Sequence, residues 1–151
     1  VTLKLPEAEY TVQDRDYYVR YTPLGVVVAI CAWNCMYFAH PLIFYLFSER
    51  LTCIVPLGQP IMKTLPALMA GNCCIVKPSP YTPYSALKVV ELAQKFLPPG
   101  VLQVVSGDDR LGPWLTNHPD VHKISFTGST VSGKHVAVAA AKTLKRVTLE
   151  L

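Results

Sequence analysis

Short apolar-rich runs punctuate the chain at residues 26–32, 73–76, 101–105, 121–126 and 147–149. Each is too short for a helix and dense enough for a strand covered on both faces of a parallel sheet. The stretches between them change period. Residues 60–69 place apolar side chains at helical spacing and stop at Gly71-Asn72, a good C-terminal signal. Residues 83–96 read as an amphipathic helix with Leu87, Val90, Leu92 and Phe96 on one side, broken by Pro98-Pro99-Gly100. A short helix through Trp114 to Asn117 and an Ala-rich helix over 135–144 follow. The opening, 1–22, is polar and mixed, with Tyr17 to Tyr21 as a strand. Strands alternating with helices predict an α/β fold with a doubly wound, mostly parallel sheet, whose ligands lie at the carboxyl ends of the strands.

Composition narrows the classes. A chain of 151 residues that is 51% hydrophobic and 16% charged buries a core and is not disordered. Its net charge of +4 is spread without a Lys/Arg run or an aromatic-interleaved basic patch, which argues against nucleic acid as a partner. The opening lacks the zones of a signal peptide. The five cysteines (Cys31, Cys35, Cys53, Cys73, Cys74) are odd in number and lack metal-ligand spacing, so no metal is expected and a reducing, cytoplasmic setting fits.

Chemistry concentrates after strand-like runs. Phe126 to Lys134 (FTGSTVSGK) is a strand entering a glycine-flanked turn that opens a helix. Such a turn leaves helix N-terminal N–H groups and the positive dipole end free for a phosphate; alone, it reads equally as a tight strand–helix connection. Lys77, past a buried strand in Lys77-Pro78-Ser79, reaches a ribose hydroxyl or phosphate, or else is a solvated strand end. Asn34, behind Trp33, offers an amide N–H₂ to an oxyanion, or caps a helix. Glu150 ends the run Val147-Thr148-Leu149; a carboxylate in an apolar setting there has a raised pKa and serves as a general base, the alternative being a solvated residue.

Four ordered segments, Pro23-Leu24-Gly25 through Trp33-Asn34, Leu65-Pro66-Ala67 through Lys77-Pro78-Ser79, Phe126-Thr127-Gly128-Ser129, and Val147-Thr148-Leu149-Glu150-Leu151, resemble the aldehyde dehydrogenase superfamily over nearly the whole chain. The resemblance implies NAD or NADP as cofactor and a small-molecule aldehyde as substrate. In it, Asn34 supplies the oxyanion donor and Glu150 activates the hydrolytic water or the thiol. It also implies a cofactor site built from Ile30, Trp33, Lys77, Ser79, Gly128, Ser129, Gly133 and Leu151, bordered by the loop carrying Gly107 and Gly112. Many members carry Glu three residues after the lysine, bonding the ribose; Pro80 stands here and leaves NAD against NADP open. The family's nucleophilic cysteine lies beyond its Glu-Leu-Gly-Gly, so this chain is expected to be a partial cofactor-binding domain, inactive alone. The complete enzyme is expected to be a homo-oligomer.

One segment breaks the resemblance. Deleting 36–55, an apolar stretch of twenty residues, restores the register throughout. Pro41, Ser48, Glu49 and Arg50 interrupt it too often for a membrane span. The codons open to Cys35-Met36-Tyr37 and to Ile54-Val55 permit splice junctions whose joining leaves Phe before Pro56, so the insert is read as a retained intron. The expected organisation is an N-terminal segment, 1–22, and a partial NAD(P)-binding domain, 23–151, interrupted at 36–55. Two further readings stand beside the enzyme: a non-catalytic dinucleotide-binding or subunit-interaction module, and a product that never accumulates as folded protein.

Overall fold

The computed structural model describes residues 8–12, 14–33 and 51–151. Strands β1 (Ala8–Val12) and β2 (Arg15–Val19) form an antiparallel hairpin, turned at Asp14 in the left-handed region and tied by a Thr11 hydroxyl to Asp16 bond of 2.7 Å. The strand expected at 17–21 is thus shifted, and β1 is additional. The side chains of both strands whose burial is described are exposed, which fits their mix of polar and apolar types.

The main sheet has five parallel strands: β3 (Val26–Ile30), β4 (Cys73–Lys77), β5 (Leu102–Val104), β6 (Val121–Thr127) and β7 (Arg146–Glu150), in the order β5-β4-β3-β6-β7. Helices α1 (Leu51–Met69), α2 (Tyr84–Ala93), α3 (Leu111–Asn117) and α4 (Thr130–Ala141) alternate with the strands. The α/β doubly wound reading holds. Side chains alternate across the sheet. Val27, Ala29, Cys31, Cys74 and Val76 form one core with Ala86 and Val90 of α2 and with Ala67 and Leu68 of α1. Val28, Ile30, Ile124 and Phe126 form the other, with Val136 and Ala140 of α4. The chain winds one way from β3 through β4 and β5, then returns past β3 to β6 and β7. That reversal opens a crevice at the carboxyl ends of β3 and β6.

Two elements differ from their sequence patterns. Helix α1 starts at Leu51, nine residues before the expected 60, so the last five residues of the expected insert (51–55) have helical backbone. Asn34 and the rest of 36–55 lie outside the described residues. Helix α1 ends where expected: Gly71 adopts φ 83°, and the Gly71 and Asn72 amides donate to the Leu68 and Ala67 carbonyls. Helix α2 presents Ala86 and Val90, not Leu87, Leu92 and Phe96, to the sheet; Phe96 is 85% exposed. The small Ala86 lets the helix approach the strands closely, and Ala93 and Leu97 continue that stripe.

Candidate functional site

A cleft of about 690 Å³ opens between α3 and α4 at the carboxyl ends of β3, β4 and β6. Ile30 and Lys77 line it from the strand ends, Gly112 and Thr116 from α3, and Ser132, His135 and Val136 from α4. Lys77 reaches it because alternation along β4 sends Cys74 and Val76 to the α1 face and Lys77 to the opposite one. Only 6% of Lys77 is exposed, and its ammonium donates to the Pro78 carbonyl at 3.3 Å. An ammonium carries three donors, so two are left without an acceptor among the described residues. Burial lowers the Lys77 pKa, opposed by the charges of Asp109, Cys31 and Asp108.

Ser129 caps α4: its hydroxyl accepts from the Ser132 amide at 3.2 Å. Gly128 precedes it, its amide donating to the Glu150 carbonyl at 3.1 Å. The sequence left these glycines between close approach and tight packing. Gly128 packs: a Cβ there would lie 2.5 Å from the Phe126 ring. Gly133 packs likewise, beneath the Leu151 side chain, and Gly107 sits over Leu111. Gly112 alone among these four has open space where a Cβ would go. Ser79 is buried and its hydroxyl accepts from the Tyr81 amide at 3.3 Å, making it a turn former. Trp33 is 55% exposed at the end of β3.

Glu150 lies on the other face of the sheet. Its Oε2 accepts from Lys63 Nζ at 2.9 Å and from the Thr127 hydroxyl, and Lys63 also donates to Ser125 Oγ at 3.2 Å. Lys63 is on α1, whose buried stripe is Gln59, Pro60, Lys63 and Thr64. The sequence led us to expect a raised carboxyl pKa; the arrangement lowers it, first through the Thr127 hydrogen bond and then through Lys63, against the cost of burial. Glu150 is therefore held ionised. A second cavity of about 330 Å³ adjoins it, lined also by Tyr21, Lys123 and Arg146.

Cys31 lies nearby, and burial pushes its thiol up to about 12. Cys74 is raised to about 12 for the same reason. Neither has the low-pKa setting of a reactive thiol. Cys73 is exposed, while Cys35 and the Cys53 side chain lie outside the described residues.

The structure thus gathers Ile30, Lys77 and Gly112 at one cleft, with Ser129 capping the adjoining helix, and Glu150 across the sheet from them. Lys63, Ser125, Thr127, Asp109, Ser132 and His135 are site neighbours that the sequence reading did not single out. A lysine and a glutamine at helical spacing within an otherwise inward-facing stripe were the available signal for α1.

Comparison with known proteins agrees with this geometry. The sequence model of the aldehyde dehydrogenase family matches residues 55–151. The chain is 47% identical over 147 residues to aldehyde dehydrogenase LUC3 of Fusarium sp, covering 97% of this chain and 26% of that protein. It is 43% identical over 135 residues to a betaine aldehyde dehydrogenase of Rhizobium etli, covering 89% of this chain and 24% of that one. The chain thus spans about a quarter of the length of the curated relatives it matches. Among solved structures it is similar to the Mycobacterium tuberculosis aldehyde dehydrogenase complexed with NAD+ (TM-score 0.69, 36% identity, 96% of this chain and 26% of that one). It is also similar to an aldehyde dehydrogenase from Brucella melitensis (TM-score 0.74, 35% identity, 97% and 27%).

Proposed function

Because the chain belongs to the aldehyde dehydrogenase family, we propose that it supplies the dinucleotide-binding part of an enzyme that oxidises an aldehyde to a carboxylic acid with NAD or NADP. The observation that carries this reading is the cleft at the switch point of the sheet, with the buried Lys77 ammonium holding unspent donors at its wall. Its volume falls within the roughly 300–1,000 Å³ of small-molecule sites. The residues present fit a dinucleotide: Lys77 for a ribose, apolar Ile30 and Val136 for a flat base, and the N-terminus of α4 behind Gly128 and Ser129 for a pyrophosphate. When bound, the dinucleotide accepts the hydride.

This chain's own residues do the rest. Glu150, kept ionised by Thr127 and Lys63, is in the form that takes a proton from water or thiol. Its half-exposed side chain leaves room for water to approach. Asn34, four residues after Ile30 in the sequence, holds the oxyanion in this reading. Trp33, Ser79, Gly107, Gly133 and Leu151 are not among the residues lining the cleft; in this reading Ser79, Gly107, Gly133 and Leu151 support it from behind, through the Tyr81 turn and the packing against Leu111 and between Gly133 and Leu151. A homo-oligomeric enzyme in a reducing cytoplasm is part of the same proposal. No helix among the described residues is long and apolar enough to cross a membrane.

The test is reduced-nicotinamide absorbance with NAD+ or NADP+ and a panel of aldehydes, measured on this chain and on a longer protein that carries it together with a nucleophilic cysteine. Aldehyde-dependent reduction is expected from the longer protein, and dinucleotide binding without turnover from this chain. Dinucleotide binding without turnover in both would instead favour the non-catalytic module, and absence of binding would end the reading.

A further inference from the structure

The cleft's polar wall is unequal in donors and acceptors, and the inequality bears on which dinucleotide it takes. A ribose with a free vicinal diol both accepts and donates hydrogen bonds. Lys77 provides donors only. Pro80, two residues after Pro78, has neither a side-chain acceptor nor a backbone N–H. The carboxylate lining the same cleft as Lys77 is Asp109, from the loop before α3. It is exposed, and no hydrogen bond or ion pair of its side chain is found among the described residues. Its neighbour Asp108 is already engaged, its Oδ2 accepting from Arg110 Nε at 2.9 Å and facing Arg110 Nη2 at 2.6 Å.

From this juxtaposition we propose that Asp109 is the residue that selects the unphosphorylated ribose, so that the cleft prefers NAD over NADP. The inference rests on the reading of the cleft as a dinucleotide site. Lys77 donates to a ribose hydroxyl and Asp109 accepts from the diol, as an acidic side chain does in other dinucleotide folds. A 2′-phosphate, carrying about −1.5 to −2 charges, meets the Asp109 carboxylate at close range. Lys77 offsets part of that repulsion but stands beside both ligands equally. His135, across the cleft on α4, is the remaining titratable side chain on its wall.

Binding of NAD+ and of NADP+ to the full chain, measured by calorimetry without aldehyde, separates the possibilities. We expect NAD+ to bind at least about tenfold tighter, since like charges placed together are strongly disfavoured. Asp109→Ala should weaken NAD+ and leave NADP+ unchanged or tighter, so that the ratio falls to near one. Asp108→Ala should leave the ratio unaltered, and Lys77→Met should weaken both dinucleotides. Circular dichroism checks that each variant is folded. Preference for NADP+ in the parent, or a ratio that survives Asp109→Ala, would overturn the assignment. So would an equal collapse in Asp108→Ala, which would make the effect one of general charge. If neither dinucleotide binds the parent, the dinucleotide reading itself fails.

Discussion

Lys63 and Glu150 form an ion pair of unequal depth: their side chains are 3% and 47% exposed. Removing one partner is therefore not equivalent to removing the other. Glu150→Ala leaves the Lys63 ammonium buried, with Ser125 Oγ at 3.2 Å as its described partner. An uncompensated buried charge costs about 3–5 kcal/mol. Water entering the space vacated beside a half-exposed carboxylate reduces this to about 2–3 kcal/mol. Lys63→Met, by contrast, frees a carboxylate that is already half in water and keeps its Thr127 bond, while the thioether fills the place of the lysine stem. That variant should lose about 1 kcal/mol or less. Urea unfolding followed by tryptophan fluorescence compares the two near neutral pH. Glu150→Ala should be the less stable by about 1–2 kcal/mol. Equal stabilities or the reverse order would refute the account.

Gly128→Ala should destabilise by about 1–3 kcal/mol, because its Cβ would lie 2.5 Å from the tip of a buried Phe126 ring that also lines the cleft. Thermal unfolding together with dinucleotide affinity checks both consequences, and Gly112→Ala, with nothing within 4 Å of its Cβ, should retain parental stability or gain slightly. Acid provides another test of Glu150, whose pKa is lowered by Thr127 and Lys63. Its contribution is present above the unfolded value of about 4.3 and disappears as pH falls through the folded value. With a half-exposed side chain this amounts to about 1 kcal/mol or less, visible as a shallower acid limb of the stability curve in Glu150→Gln than in the parent.

The strands of the main sheet were legible because apolar runs such as Val26 to Ile30 sit in the middle of a sheet covered on both sides, where period carries no ambiguity of face. Their ends moved by a residue or two as pairing recruited neighbours: Lys77 and Thr127 join strands whose apolar runs stop before them. Helix α2 shows the opposite case. Leu87, Leu92 and Phe96 drew attention by size, but contact distance favoured Ala86. The cofactor side of the site was readable through Lys77 and the capped turn at Ser129. The Glu150 environment was not, since Lys63 is 87 residues away and only α1 packing brings the two together. An apolar setting was inferred for Glu150 from its own strand, whereas the groups that set its charge come from α1 and β6.

Strand β3 is the first strand of the main sheet yet lies at its centre, and the Val26 amide finds His122, 96 residues later, at 3.3 Å. During synthesis β4 can zip onto one side of β3 early. The other side waits for β6, roughly 5–20 s at about 5–20 residues per second. For that interval Val26-Val27-Val28-Ala29-Ile30 presents an open apolar edge of the kind that templates intermolecular pairing. No dinucleotide can shelter it, because the crevice does not exist until β6 and α4 have emerged. The strand at the centre of the ligand site thus becomes safe only once β6 has emerged, and yield in the cell should depend on what holds that edge in the meantime.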